Sequence, residues 1–130
     1  MPFTTGPVTN TRDFGTAASN IVVSTRNLDP ASAVTVIVEI FASVDSSIFY
    51  TAYSLSYVVP ANAYDVREFF IAGNVTYEVQ LNSMAQTTTS VNPNVIMSVT
   101  GLNEFGNLVE SQFFNHVNLI PISQLSPPMV

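Results

Sequence analysis

Apolar residues recur at every second position in several stretches of the chain. Val34, Val36, Val38 and Ile40 share one side of a strand, with Thr35, Ile37, Glu39 and Phe41 on the other. The same alternation runs through Tyr53, Leu55, Tyr57 and Val59, through Val75, Tyr77, Val79 and Leu81, and more briefly through Val95, Met97 and Val99. A period of two, rich in β-branched and aromatic side chains, predicts strands half-buried in a sheet. Further strands are predicted near 21–25, 66–72 and 108–117. No segment repeats apolar residues at i, i+3, i+4 and i+7 for the length a helix needs.

Turn chemistry separates these runs. Asn27-Leu28-Asp29-Pro30, Val44-Asp45-Ser46-Ser47, Pro60-Ala61-Asn62 and Asn103-Glu104-Phe105-Gly106-Asn107 place Asn, Asp, Pro or Gly where the chain must reverse. The neutral stretch 85–94 is predicted as an exposed loop. About seven short strands with such connections predict an all-β fold, an antiparallel β-sandwich of jelly-roll or immunoglobulin-like type.

Composition narrows what such a sandwich does. The chain has 130 residues, 47% of them apolar, but only three cations and nine carboxylates, giving a net charge of −6. Ordinary soluble domains carry about a quarter charged residues, so Ser, Thr, Asn and Gln must clothe this surface. A neutral polar exterior suits a protein that meets copies of itself. The cations are Arg12, Arg26 and Arg67, too few for a phosphate-binding surface, which argues against nucleic acid as a partner. No run approaches the roughly 18–20 apolar residues of a membrane-spanning helix, so no membrane insertion is expected. The first residues lack the basic and apolar regions of a secretory signal. Without Cys, thiolate nucleophiles, disulfides and zinc–thiolate sites are all excluded.

The ends of the chain differ from its middle. Residues 1–12 contain Pro2, Pro7 and Gly6 among Thr and Asn, with Phe3 and Val8 as apolar anchors. The prolines preset extended backbone and the glycine permits a bend. Such a segment either pairs with its own domain's first strand or adds as a strand to the next copy; the combination favours the second. The expected organisation is a connector arm at 1–12, a β-sandwich at 13–120 and a Pro-rich tail at 121–130. A chain beginning near Asp13 is expected to keep its core.

Several segments stand in a familiar order: Thr5-Gly6-Pro7-Val8-Thr9-Asn10-Thr11-Arg12, Asn27-Leu28-Asp29, Val59-Pro60-Ala61-Asn62, Tyr77-Glu78-Val79-Gln80, the run from Val95 to Asn103, and Gly106-Asn107-Leu108-Val109. In these the chain resembles small proteins of spore-forming Firmicutes, some of which look like subunits of spore-surface filaments, the endospore appendages. The resemblance implies a β-sandwich whose N-terminal connector joins one subunit to the next. Better-known appendage subunits cross-link through connector cysteines, which this chain lacks, so any joint here is non-covalent.

Catalytic candidates are sparse. His116, the single histidine, lies near Ser111 and Glu110, and on a strand Glu110, Gln112, Phe114 and His116 would share one face. A triad needs a converging nucleophile, base and orienting acid, and the expected role is a surface or interface imidazole. Asp65, Arg67 and Glu68 read as a surface ion-pair cluster. Glu39 interrupts an apolar strand and is expected to face solvent, the alternative being a pair with an Arg across an interface. Tyr50, Tyr53, Tyr57, Tyr64 and Tyr77 offer rings for sugar stacking, although most alternate in phase with the core. Asn74-Val75-Thr76 matches a glycosylation acceptor by chance. No calcium loop, phosphate loop or nucleophile elbow is present, so no catalytic residue, metal or cofactor is expected.

The expected function is a structural subunit that polymerises head-to-tail into an extracellular or spore-surface filament, its arm carried by Pro2, Phe3, Gly6, Pro7 and Val8. Its partners would be copies of itself and, on a spore, other spore-surface proteins. The alternative is a surface-displayed binding module, for carbohydrate or a host surface. An enzyme and a capsid-like jelly roll are more distant readings.

Overall fold

A computed structural model describes residues 2–10, 17–44, 48–71, 75–85 and 94–127. Among these residues nine strands form: β1 (Phe3–Thr4), β2 (Asn20–Asn27), β3 (Val34–Ser43), β4 (Tyr50–Val59), β5 (Tyr64–Phe70), β6 (Thr76–Ala85), β7 (Val95–Leu102), β8 (Leu108–Phe114) and β9 (Ile120–Pro121). A short 3-10 helix, His116–Asn118, precedes β9. Sheet 1 has the order β4-β3-β6-β1-β9 and sheet 2 the order β5-β2-β7-β8, with every neighbouring pair antiparallel. The two sheets pack face to face as an all-β sandwich, as the alternation predicts.

The period-two residues make the core. Ile21 and Val23 of β2, Val34 to Ile40 of β3 at alternate positions, Val79 and Leu81 of β6, and Met97 and Val99 of β7 are fully or almost fully buried. Each such side chain contributes about 1.5–3 kcal/mol when taken from water, so the long strands β3 and β6 are held chiefly by this face. Inward-pointing Asn27 is buried at the end of the same row. Its side-chain amide donates to the carbonyls of Ser32, Val59 and Pro60, and its Oδ1 accepts from the Asp29 amide. That residue ties the turn after β2 to the end of β4.

Several expected boundaries shift. The strand expected at 66–72 begins earlier, at Tyr64, while Ala72 lies outside the described residues. The strand expected at 108–117 ends at Phe114, because Asn115 caps the 3-10 turn and accepts from the Val117 amide. Most of the loop at 85–94, part of the turn after Val44, and Asn74 also lie outside the described residues. β1 and β9 are additions that periodicity does not announce.

One side of the sandwich is closed by side chains of its edge strands. The rings of Tyr53 and Phe69 lie 5.1 Å apart, Arg67 sits 3.8 Å over the ring of Tyr57, and the Tyr53 hydroxyl donates to the Phe70 carbonyl at 2.7 Å. Arg67 also pairs with Asp65 at 2.9 Å, as expected for the ion-pair cluster. The opposite side, between the β1/β9 and β8 edges, is closed by the N-terminal segment.

Glu39 requires a correction. It does lie on the side of β3 away from the core, but it is only 5% exposed, and the next outward residue, Phe41, only 1%. The C-terminal segment crosses the same face beside Glu39. Ser126 donates its amide to Gln80 Oε1 at 2.8 Å and accepts at its hydroxyl from Gln80 Nε2 at 3.0 Å. Gln80 stands directly opposite Glu39 in the β3–β6 register. Burial raises the Glu39 pKa above its ordinary value, against a smaller lowering by the Ser54 hydroxyl, and Oε2 has no partner.

A group whose folded pKa is raised stabilises fully below the unfolded pKa and loses that contribution as pH climbs through the folded value. Glu39→Gln should therefore unfold at higher denaturant concentration than wild type at pH 7. The gap should narrow as pH falls toward about 4.3, the ordinary glutamate value. Denaturant titrations of both proteins across that range check this, and an equal gap at both ends would contradict it.

Candidate functional site: the seat of the N-terminal arm

β6 is a central strand, so its backbone needs partners on both sides. On the side away from β3, residues 3–8 supply them. Phe3 and Thr4 pair with Leu81 and Gln80. The Thr5 amide donates to the Val79 carbonyl at 3.0 Å, and the Val79 amide donates to Thr5 Oγ1 at 3.1 Å. Val8 and Tyr77 exchange two backbone bonds, of 2.7 and 3.1 Å. Tyr77 and Val79 are wholly buried, so without the arm these donors and acceptors would be left unmatched, at about 1–3 kcal/mol each where water cannot reach.

The expected arm residues take different parts in this seat. Phe3 packs against the core, its ring edge-to-face with His116 at a centroid distance of 5.0 Å. Val8 is 7% exposed and belongs to the core. Gly6 has φ +70, a conformation that favours glycine, and its amide donates to Thr4 Oγ1 at 2.9 Å. Pro2 offers its carbonyl to the Ile122 amide at 3.0 Å. Pro7 is exposed and borders a cleft of about 400 Å³ between the arm and β8. Met1, Thr11 and Arg12 lie outside the described residues.

The arm thus lies on its own domain in the single chain, and its partner is β6 rather than the first long strand. Removing residues 1–12 would take Val8 from the core and half-buried Phe3 from its margin.

Polar contacts that sequence reading did not single out hold the arm as well. Thr4 Oγ1 donates to Glu78 Oε2, which also accepts from Gln80 Nε2 at 3.1 Å. Asn10 is buried and pairs twice with the Ala18 backbone, at 2.8 and 3.0 Å. Its Oδ1 also accepts from Gln112 Nε2 at 3.0 Å, and Gln112 Oε1 accepts from the Tyr77 hydroxyl at 2.7 Å. Burial raises the Tyr77 pKa strongly, which keeps the phenol protonated as this donor. Gly101 makes room for the chain of bonds: a Cβ there would stand 2.5 Å from Gln112 Oε1. Thr4 and Asn10 carry no local signal, since Glu78 and Gln112 lie 74 and 102 residues away.

His116 belongs to this seat and not to a triad. Its Nδ1 accepts from the Met97 amide at 3.2 Å, which leaves the proton of the neutral ring on Nε2. Ser111 sits at an irregular position of β8 with φ 69, and Glu110 is exposed while Gln112 is buried, so the expected shared face does not form. Among the described residues no group of three His, Cys, Asp or Glu side chains could hold a metal ion.

A second, shallower feature lies on the outer face of sheet 2. A groove of about 220 Å³ there is lined by residues including Ser24, Arg26, Tyr64, Ile96, Ser98 and Asn115. Tyr64 is 75% exposed, whereas Tyr77 is in the core. The Arg26 guanidinium is bound to Asn62 Oδ1 and to the carbonyls of Asn27 and Ala63.

Asn10→Ala should lower stability by about 1–3 kcal/mol, since it strands the Gln112 amide and the Ala18 backbone in a buried site. Chemical denaturation measures the loss, and a change within about 0.5 kcal/mol, typical of a surface substitution, would remove Asn10 from the seat.

No family model, curated protein or solved structure matches this chain, so the seat and its geometry carry the functional reading.

Proposed function

We propose that this protein is a structural subunit that self-assembles without covalent links, by exchange of its N-terminal arm between copies. The carrying observation is that, among the described residues, residues 3–8 fill the outer edge of β6, with paired backbone bonds for affinity and Phe3 and Val8 for register. Strand addition uses this division of labour. An element that closes its own domain also closes a neighbour's identical seat, and a head-to-tail exchange gives an open fibre unless its rotation closes. The sparsely charged surface and the resemblance to spore-surface filament proteins favour a fibre on a spore or outside the cell. With no cysteine and no metal cluster called for, reducing agent and chelator should leave assembled material intact.

The absence of cysteine makes the test direct. Thr4 and Gln80 are cross-strand partners, and such pairs bring Cβ atoms to about 4.5–5.5 Å, close to what a disulfide spans. A Thr4→Cys/Gln80→Cys protein, assembled and then oxidised, should run as a ladder of covalent multimers on a non-reducing gel. A single monomer band would mean that the arm stays on its own domain, and the proposal would fail. Phe3 is half-buried, so Phe3→Asp should in turn weaken assembly by about tenfold, the lower end of the roughly 1.5–3 kcal/mol that full burial of a Phe is worth. Sedimentation with a melting curve alongside separates that effect from unfolding.

The second reading, a surface-displayed binding module, rests on the groove beside Tyr64. An exposed ring among Ser, Asn and Arg side chains is a sugar-stacking arrangement. Glycan binding by the wild type that Tyr64→Ala abolishes, without any fibre in micrographs, would favour it.

A further inference from the structure

The two sheets have four outer edges, and three of them are blunted against further pairing. β9 is two residues long and ends in Pro121, which has no amide to donate. β5 carries Asp65, Arg67 and Glu68 within seven residues. β8 carries Glu110 and is broken at Ser111, where φ is 69 and the register with β7 shifts. Charges, prolines and irregularities of this kind are what keep sheet edges from joining.

β4 has none of them. Its ten residues, YTAYSLSYVV, contain no carboxylate, cation, Pro or Gly. The one irregularity in its pairing with β3 falls between Ile40 and Phe41, so residues 53–59 run in unbroken register. Among the described residues, no backbone bond joins 53–58 to anything beyond β3. Ser54, Ser56 and Val58 are exposed. Alternate residues along this stretch therefore direct free amides and carbonyls outward.

We propose that β4 is a second assembly surface, and that its occupant is β4 of another copy, paired antiparallel about a two-fold axis near Leu55. Charge selects this occupant. Copies of a chain with net charge −6 repel across most of their surfaces, and a seam at β5 or β8 would have to enclose the charges of Asp65, Arg67 and Glu68 or of Glu110. The β4 pair opposes Ser54 to Ser56 of the partner copy, and Tyr53 to Tyr57 of the partner copy, with no charged pair in the seam. Like charges directly opposite destabilise a strand pair, and neutral pairs do not. The contact is isologous and closes on itself, so it joins two copies and no more. It lies at the far edge of sheet 1 from the arm's seat and does not require arm exchange. Where both contacts operate, β4 pairing ties two fibres side by side.

The test follows amide hydrogen exchange of residues 53–58 in the wild type as protein concentration rises, with sedimentation in parallel. Protection should grow with concentration as a dimer forms. Ser56→Lys, which places a cation on the exposed side of the seam in both copies, should weaken that dimer at least about tenfold while leaving the melting curve in place. The same Thr4→Cys/Gln80→Cys protein, oxidised while dilute and before assembly and purified as the monomer with its arm locked on its own domain, should still dimerise through β4. That result stands even where arm exchange fails, so the two ideas fall separately. Exchange independent of concentration, or a dimer indifferent to Ser56→Lys, overturns the proposal. Protection that disappears when the arm is locked overturns it too, because the occupant would then be another copy's arm.

Discussion

The outer edge of β6 is the constraint on which the rest of this structure depends. β6 crosses the middle of sheet 1 with Tyr77, Val79 and Leu81 wholly buried, and a buried backbone cannot leave its amides and carbonyls unmatched. A segment of two strand residues and one isolated bridge meets that demand. The geometry is economical because Thr5 uses its hydroxyl where the backbone diverges, and Gly6 turns the chain so that Val8 rejoins β6. The same segment closes the side of the sandwich that lacks the Tyr53–Phe69 and Tyr57–Arg67 contacts.

Both ends of the chain hang on this edge. β9 pairs with β1 and with no other strand, so the C-terminal segment is fastened through the N-terminal one. A second tie runs over the outer face, where Thr4 meets Glu78, Glu78 meets Gln80, and Gln80 holds Ser126. Any event that lifts the arm therefore loosens β9. An arm arriving from another copy would restore both. This coupling would give the proposed strand exchange a physical basis, since an exchanged arm would carry the order of the far terminus with it.

Buried polar side chains set the register of these contacts. Asn10, Gln112 and Tyr77 link the arm, β8 and β6 in one chain of bonds, with Gly101 leaving the space it needs. Apolar packing alone tolerates a sliding strand; a donor aimed at one acceptor does not. Glu39 is the counterexample, a buried acid with one unmatched oxygen beneath the face that Ser126 crosses. Its cross-strand neighbour Gln80 is bound by Ser126, 87 positions beyond Glu39 in the chain (126 less 39), whereas alternation along β3 pointed to solvent.

The seven long strands were legible in the sequence because their signal is local: a side-chain period of two, written in β-branched and aromatic residues and stopped by Asn, Asp, Pro and Gly. The scarcity of charge and the absence of cysteine were equally plain, and with them the sparsely charged surface and the exclusion of thiol chemistry. The arm's apolar anchors, Phe3 and Val8, could be named for the same reason, as isolated apolar residues in extended polar chain. What only the tertiary structure decided is where those anchors go. β1 and β9 are too short to show a period, and Thr4, Asn10 and His116 acquire roles solely from residues far along the chain. Which strand edges stay open is likewise a property of neighbours. β4 reads like any other alternating run, and its exposed edge exists only because sheet 1 ends there.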